Sequence, residues 1–355
     1  MKKTSLFEKH VELNAKMVDF GGFNMPIQYS GISDEHINVR NNVGIFDVSH
    51  MGEFFVSGKE ALQFLNHVCS NNIEKIEINK AQYNCFTNEN GGIIDDLIVY
   101  RCDENEYMLV VNASNIDKDW NWLNRYINKY DCSIINESDN IGLISGQGPK
   151  SIHLINDIFN KDFISIKKFN FKTIEYKKHK VIISNTGYTG SPGYEIYLDN
   201  NIIVEIWDLL LNHGINYDLC PVGLGARDTL RIEMGYCLYG NEINDDITPH
   251  EANLMWITDM NKDFIGKKSI EKSIENSKKK LVGFKMIDRG IPRKDYNVFD
   301  SNNNLIGKVT SGTFSPSNKL GVGMALIDFK NFKSNEIFIE QKNKRLKGLI
   351  QKLPI

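Results

Sequence analysis

The sequence predicts an α+β fold, and three observations predict it. In residues 1–278, runs with strand character and runs with helix character follow one another through short connections, which suits antiparallel pairing and not a doubly wound parallel sheet. A charged stretch, Lys267 to Lys280 (KKSIEKSIENSKKK), closes this region. From Leu281 onward, short apolar runs alternate with turn residues, the pattern of a small all-β barrel or sandwich. The boundary is therefore placed near residue 278. Residues 1–278 form the larger region, as two interwoven α+β subdomains, and residues 279–355 the C-terminal β-barrel.

The elements follow in order. Ser57-Gly58-Lys59-Glu60 has the spacing of a capping box, and Leu62, Leu65 and Val68 share one face, so a helix is expected over 59–68. Strands are expected at 82–87, 97–100 and 107–111. Asn115 stands at a cap position before Ile116, Trp120, Leu123 and Ile127, whose helical spacing predicts a second helix. Further strands are expected at 141–144, 181–183 and 194–197, with helices at 202–212 and 225–234. In the charged stretch, Ile270 and Ile274 at i,i+4 predict a short surface helix. The barrel strands are expected at 281–284, 297–299, 307–310, 325–327 and 337–339, with turns at 301–304 and 315–318.

Composition narrows the function classes. A chain of 355 residues is long enough for two domains, or three small ones, with a sizeable core. Hydrophobic residues at 41% and charged residues at 25% exclude a disordered or collagen-like chain. Lys+Arg 42 against Asp+Glu 45 gives a net charge of −3, without the broad basic face of a nucleic-acid binder or a polybasic membrane signal. The six cysteines are scattered and form no CxxC pair, which argues for free thiols in a reducing compartment over a metal knuckle or a disulfide framework. The N-terminal MKKTSLFEKH has no apolar core of a signal peptide, and no run approaches ~18 apolar residues, so a cytoplasmic location is expected.

Four segments can carry chemistry. In Gly91-Gly92-Ile93-Ile94-Asp95-Asp96-Leu97-Ile98-Val99-Tyr100, two carboxylates enter an apolar strand. Neighbouring strand side chains point to opposite faces, so one of the two acids turns toward a pocket or core, where it can accept a proton or anchor a cationic nitrogen. The simpler alternative is a turn with acids at a strand start. In Asn185 to Glu195 (NTGYTGSPGYE), glycines 187, 190 and 193 permit close backbone approach to a ligand, or make a flexible hairpin. Pro192 and the strand that follows rule out a phosphate loop opening a helix. Glu195, flanked by Tyr194 and Ile196, suits a half-buried carboxylate that pairs with an N–H-rich ring such as a pterin or guanine. Arg227 falls in the first turn of the expected 225–234 helix, with Arg231 one turn on; either can clamp a ligand carboxylate or pair locally with Asp228 or Glu233. Asp47, Ser49 and His50 invite a hydrolase triad, but they lie too close in sequence to reach triad geometry and no GxSxG elbow surrounds Ser49.

Taken together, these segments resemble the glycine cleavage T-protein family of aminomethyltransferases. The resemblance runs through Leu6 to His10, Met17 to Pro26, Val43 to Glu53 (VGIFDVSHMGE), Asn88 to Tyr100 (NENGGIIDDLIVY), and Val110 to Trp120 (VVNASNIDKDW). It continues through Gly146 to Pro149, Thr186 to Glu195, Gly223 to Ile243 (GLGARDTLRIEMGYCLYGNEI) and Thr310 to Ile327. It implies three domains around a central folate channel: an antiparallel Greek-key domain, a ferredoxin-like α+β domain and a C-terminal jelly-roll-like β domain. It implies transfer of a methylene from the aminomethyl-lipoyl arm of H-protein to tetrahydrofolate, giving 5,10-methylenetetrahydrofolate and ammonia, with no metal, flavin or nicotinamide.

The residues carry over one by one. The resemblance makes Asp96 the catalytic aspartate, Glu195 the pterin anchor and Arg227 the contact to the polar end of the folate. Asn112, Tyr83, Tyr100, Tyr188, Val110, Met51 and Tyr236 fall at pocket-lining positions. Two positions depart from the pattern. Lys168-Phe169 stands where some relatives carry a tyrosine, and a folate contact beyond Pro354 is absent or supplied by another residue. Rival readings on related folds are a folate-dependent demethylase and a folate-binding iron–sulfur maintenance protein. The latter's KGCYxGQE hallmark is not matched by Met234 to Glu242.

Overall fold

The computed structural model describes residues 1–355 apart from 331, 333 and 343. The chain opens with α1 (Phe7–Glu12), a hairpin of β1 (Lys16–Phe20) and β2 (Phe23–Gln28), α2 (Ile32–Asn41), β3 (Val43–Asp47), β4 (Gly52–Ser57) and α3 (Ala61–Val68). Next come β5 (Lys80–Thr87), β6 (Ile93–Asp103), β7 (Glu106–Val111), α4 (Ile116–Asn124), β8 (Ser133–Asn136), β9 (Ile141–Gln147) and α5 (Ser151–Phe159). The third stretch holds β10 (Phe171–Tyr176), β11 (His179–Ser184), β12 (Gly193–Asp199), α6 (Ile203–Gly214), β13 (Leu219–Pro221), α7 (Leu224–Met234) and α8 (Lys267–Asn276). The C-terminal strands are β14 (Lys279–Met286), β15 (Asn297–Phe299), β16 (Leu305–Ser315), β17 (Leu320–Asp328), β18 (Glu336–Gln341) and β19 (Lys344–Gln351). The fold is mixed α+β, as the pattern of short connections predicts.

Two compact units emerge: Met1–Leu65, Ile73–Tyr83 and Leu97–Arg227 form one, and Asn66–Asn72, Asn84–Asp96 and Asp228–Ile355 the other. The first contains a six-stranded sheet in the order β10-β11-β12-β9-β3-β13. Within it β10/β11, β11/β12, β12/β9 and β3/β9 are antiparallel, whereas β13 lies parallel to β3. Ile203, Ile206, Trp207 and Leu210 recur at helical spacing on α6 and are fully shielded against this sheet, together with Leu154 and Ile155 of α5. Each such side chain contributes about 1.5–3 kcal/mol.

A five-stranded sheet runs β5-β6-β7-β4-β8. Its registers pair Glu53 with Val110 and Val110 with Ile98, so these three side chains share one face. The next row on that face is Phe55, Met108 and Tyr100. The opposite face receives α4: the Trp120 ring meets the Phe54 ring edge-on at 5.5 Å.

In the second unit, β14-β17-β16-β15-β18-β19 close into a barrel. Its core is Val282, Phe284, Met286, Val298, Val309, Ala325, Ile327, Ile337 and Ile339. The 301–304 and 315–318 turns fall between the strands the sequence predicts, and β19 is a strand the apolar pattern does not reveal. The same unit takes in chain from before residue 278, and backbone accounting explains why. Leu281 donates its N–H to the Glu251 carbonyl, and Asn253 Nδ2 reaches the Leu281 carbonyl at 2.6 Å. Ile93 N donates to the carbonyls of Asn244 and Ile247, and Lys262 Nζ caps the end of α3 through the carbonyls of Asn66 and Cys69.

Two local expectations give way to tertiary partners. Glu60 does not reach back to Ser57; its carboxylate accepts the Asp131 N–H at 2.6 Å, and the helix begins at Ala61. In α8, Ile270 is buried but Ile274 is exposed, so the apolar pair does not act as one face.

Arg231 of α7 is the main polar link in the second unit. Its guanidinium, 1% exposed, bonds Asp228 and Glu242 at 2.8 Å each, the Ser311 hydroxyl at 2.7 Å and the Tyr236 carbonyl. Glu242 is 0% exposed. Arg231→Ala leaves that carboxylate buried without its counter-charge, and is expected to lower unfolding free energy by about 3–5 kcal/mol. The double variant Arg231→Met with Glu242→Leu should lose less than Arg231→Ala alone. Urea unfolding followed by circular dichroism checks both, and equal losses would contradict this account of the pair.

Candidate functional site

The Asn185–Glu195 loop is held, not flexible. Gln147, the last residue of β9, fills the space under it. A Cβ at Gly187 or at Gly193 would collide with the Gln147 amide. Gln147 Nε2 donates to the carbonyls of Thr186 and Tyr194, and Thr189 Oγ1 donates to Gln147 Oε1 at 2.9 Å. Gly190 takes φ +77°, a left-handed conformation that suits glycine. From the other side, Arg40 Nη1 bonds the Thr189 carbonyl at 2.6 Å and the Ser191 hydroxyl at 3.0 Å. The glycines are needed for the packing of Gln147 and for the turn.

This fixed loop places two of the expected site residues. Tyr188 is half-buried, and the Arg227 guanidinium lies over its ring at 4.6 Å, a cation–π contact. Glu195 of β12 is more deeply set than the sequence suggests, at 9% exposure. Thr186 Oγ1 donates to Glu195 Oε2 at 2.5 Å, and the Tyr197 hydroxyl lies 3.5 Å from the same oxygen. Tyr100 is fully buried, with its hydroxyl 3.1 Å from Thr186 Oγ1 and 2.9 Å from the Tyr197 hydroxyl. Among the described residues the other oxygen, Oε1, has no hydrogen-bond partner. Burial raises the Glu195 carboxyl above its ordinary value; the Thr186 bond, the Arg227 charge and Tyr197 oppose that rise only in part.

Val110 is buried on β7, with Asn112 half-buried just past the strand end. Met51 is half-buried in the turn between β3 and β4, and Tyr83 is half-buried on β5. All of these belong to the first unit, as do Glu195, Arg227, Tyr188 and Tyr100. Asp96 and Tyr236 belong to the second. Asp95 is fully buried and Asp96 half-buried, as opposite faces of a strand require. The Gly91-Gly92 turn before them is built around Asn88: its side-chain oxygen accepts the N–H groups of Asn90 and Gly92, and its amide donates to the Asp245 carbonyl. Tyr236 follows α7, and its carbonyl accepts from Arg231. Arg227 and Arg231 therefore have separate roles despite their i,i+4 spacing.

Asp47, Ser49 and His50 do not form a triad. Asp47 is fully buried, and its partners are Thr4 Oγ1 at 2.6 Å, His10 Nε2 at 2.9 Å and the Ser49 N–H at 2.9 Å. The Tyr29 hydroxyl lies 2.9 Å from the other His10 nitrogen. Ser49 Oγ accepts the Leu143 N–H at 3.0 Å, which fixes the turn that carries His50 and Met51. His10, Thr186 and Tyr197 join these networks without a motif to announce them. Their signal is weak, since each is one polar residue whose partner is distant in the chain or lies on a neighbouring strand.

The comparisons with known proteins agree with this architecture. The family model for the GCVT N-terminal domain matches residues 6–262, and that for the glycine cleavage T-protein C-terminal barrel domain matches residues 279–355. The chain belongs to the glycine cleavage T-protein family. It is an enzyme, an aminomethyltransferase of the glycine cleavage system. It is 48% identical over 359 residues to the aminomethyltransferase of Bacteroides fragilis, covering 100% of this chain and 99% of that one. It is 46% identical over 357 residues to the aminomethyltransferase of Thermosipho melanesiensis, covering 100% and 97%. The crystal structure of glycine cleavage system aminomethyltransferase T from Bartonella henselae superposes with a TM-score of 0.92 at 32% identity, over 99% of this chain and 97% of that chain.

Burial alone would raise Asp47. The hydrogen bond and charge of His10, with the bonds from Thr4 and Ser49, outweigh it and hold the carboxylate below its ordinary value. A carboxylate lowered by folding adds stability above its unfolded value and loses it as pH falls through the folded one. Wild-type unfolding free energy should therefore drop as pH falls below about 4. Asp47→Asn should be less stable at pH 7 and show a flatter acid limb. Denaturant titrations across pH 2.5–7 check this, and parallel limbs would contradict the assignment.

Proposed function

We propose that the first unit's site binds tetrahydrofolate through Glu195 and Arg227, and that Asp96 is the catalytic residue of methylene transfer from the lipoyl arm of H-protein. The observation that carries the folate reading is Glu195. One of its oxygens is held by Thr186 and Tyr197, while the other has no protein partner among the described residues. A buried acceptor fixed at one end and open at the other suits a flat ring that presents N–H donors. Tyr188 and Val110 supply aromatic and apolar wall, and Met51, Asn112, Tyr83 and Tyr100 complete the proposed lining within the first unit.

The division of labour follows from the chemistry. The methylene joins two folate nitrogens, the amine leaves as ammonia and the lipoyl sulfur leaves as a thiol. The two hydrogens lost from the folate nitrogens end on the ammonia and the thiol, so each transfer moves protons near the reacting carbon. Asp96 is assigned that movement, and its negative charge also stabilises an iminium-like methylene carbon. Arg227 presents a planar fork to the carboxylate-bearing end of the folate. The docking partner is lipoyl-bearing H-protein. No helix among the described residues is long and apolar enough to cross a membrane. The six free thiols support a reducing, cytoplasmic location, and the start of β14 at Lys279 supports the domain boundary near residue 278.

The test is ammonia release from aminomethyl-lipoyl H-protein, with and without tetrahydrofolate. Wild type is expected to release ammonia in a folate-dependent manner, and Asp96→Asn to lose about 10²–10⁴-fold in rate. A folded wild type without folate-dependent release would overturn the reading. Full activity in Asp96→Asn would keep the activity and remove Asp96 from the mechanism.

A further inference from the structure

His50 is buried at 2% exposure, yet its Nδ1 has no hydrogen-bond partner, and no hydrogen bond involves the ring among the described residues. A buried imidazole left this way costs about 1–3 kcal/mol, so it requires an explanation. The ring is firmly placed. Phe20 meets it edge-on at 5.4 Å, and Phe23 lies tilted at 6.4 Å. Its backbone follows the Ser49 turn, which Asp47 and Leu143 pin.

Arg227, on α7, brings positive charge; Asp47, on β3, brings negative charge; the β1–β2 hairpin offers the two phenylalanine rings. Burial, then Arg227, push the imidazole down to about 4, and Asp47 offsets this only in part. His50 is thus neutral at physiological pH, with one nitrogen able to donate and one able to accept. The same Arg227 guanidinium stacks on Tyr188 and acts on Glu195. His50 therefore belongs to the cluster assigned to tetrahydrofolate, although the family resemblance does not mark it.

We propose that His50 is an additional ligand-contacting residue of this site, a neutral imidazole that hydrogen-bonds the bound tetrahydrofolate beside Arg227. This rests on the reading of the site given above. The ligand would bond Nε2, which has no partner among the described residues and, unlike Nδ1, is not fully shielded, and the fixed ring would be preorganised to receive it.

The test is calorimetric titration of the full chain with tetrahydrofolate, using wild type, His50→Phe and His50→Gln. His50→Phe is expected to bind about tenfold more weakly with a melting temperature no lower than that of wild type, and His50→Gln to recover most of the loss. Proton NMR of wild type provides a readout that does not depend on a folded variant. The His50 ring resonance should not titrate between about pH 5.5 and 8, and should shift when tetrahydrofolate is added. Equal affinity of wild type and His50→Phe, or a ring resonance indifferent to tetrahydrofolate, would overturn the proposal and leave the site reading intact. A wild type that does not bind tetrahydrofolate would overturn both.

Discussion

Asp47 accepts hydrogen bonds from Thr4, His10 and the Ser49 backbone while shut away from water. The N-terminal segment and the His50 turn of the first unit depend on this buried carboxylate. Thr4 and His10 anchor the N-terminal segment, and His10 extends the network to Tyr29, just past the β1–β2 hairpin. Glu35 fastens the same neighbourhood by accepting the N–H groups of Tyr29, Gly31 and Gly223, the last immediately before α7. The hairpin that packs on His50, the turn that carries His50 and Met51, and the helix that carries Arg227 are thus tied together by two acidic side chains, Asp47 and Glu35, whose partners run from Thr4 to Gly223.

Asp47 and Glu195 show how environment divides one kind of group into two roles. Both are buried. Asp47 has its bonds supplied by the protein and stays low and ionised. Glu195 has one oxygen satisfied and stands above its ordinary value. The first is a completed structural network, and the second is an unfinished one. An unfinished buried network is costly on its own and becomes favourable when a ligand completes it. The rigid Gly187–Gly193 loop and the Gln147 side chain beneath it keep the geometry of that completion fixed before a ligand arrives.

Much of the framework was legible in the sequence because it rests on local patterns. Asn297–Phe299 and the 301–304 and 315–318 turns carry their own strand and turn signals, and the α6 stripe is a plain helical period. What the sequence hides is partnership across long separations. The Ser57–Glu60 capping box looks complete locally, but Glu60 is claimed by Asp131. Glycines 187 and 193 look flexible until Gln147 is seen beneath them. Arg227 and Arg231 look equivalent on one helix face, yet one stacks on Tyr188 and the other is locked to Glu242. Asp95 and Asp96 were readable as a pair on opposite faces, while which acid is the more buried needed the fold.

The central claim is that the open oxygen of Glu195 holds the ring of tetrahydrofolate. The most direct measurement is the affinity of Glu195→Gln for tetrahydrofolate against that of wild type, with melting temperatures recorded for both. The account predicts affinity lower by about 10–100-fold with the fold intact, since a bond to a carboxylate is worth about 1.5–3 kcal/mol. Equal affinity in a folded Glu195→Gln variant would contradict it and place the ring elsewhere.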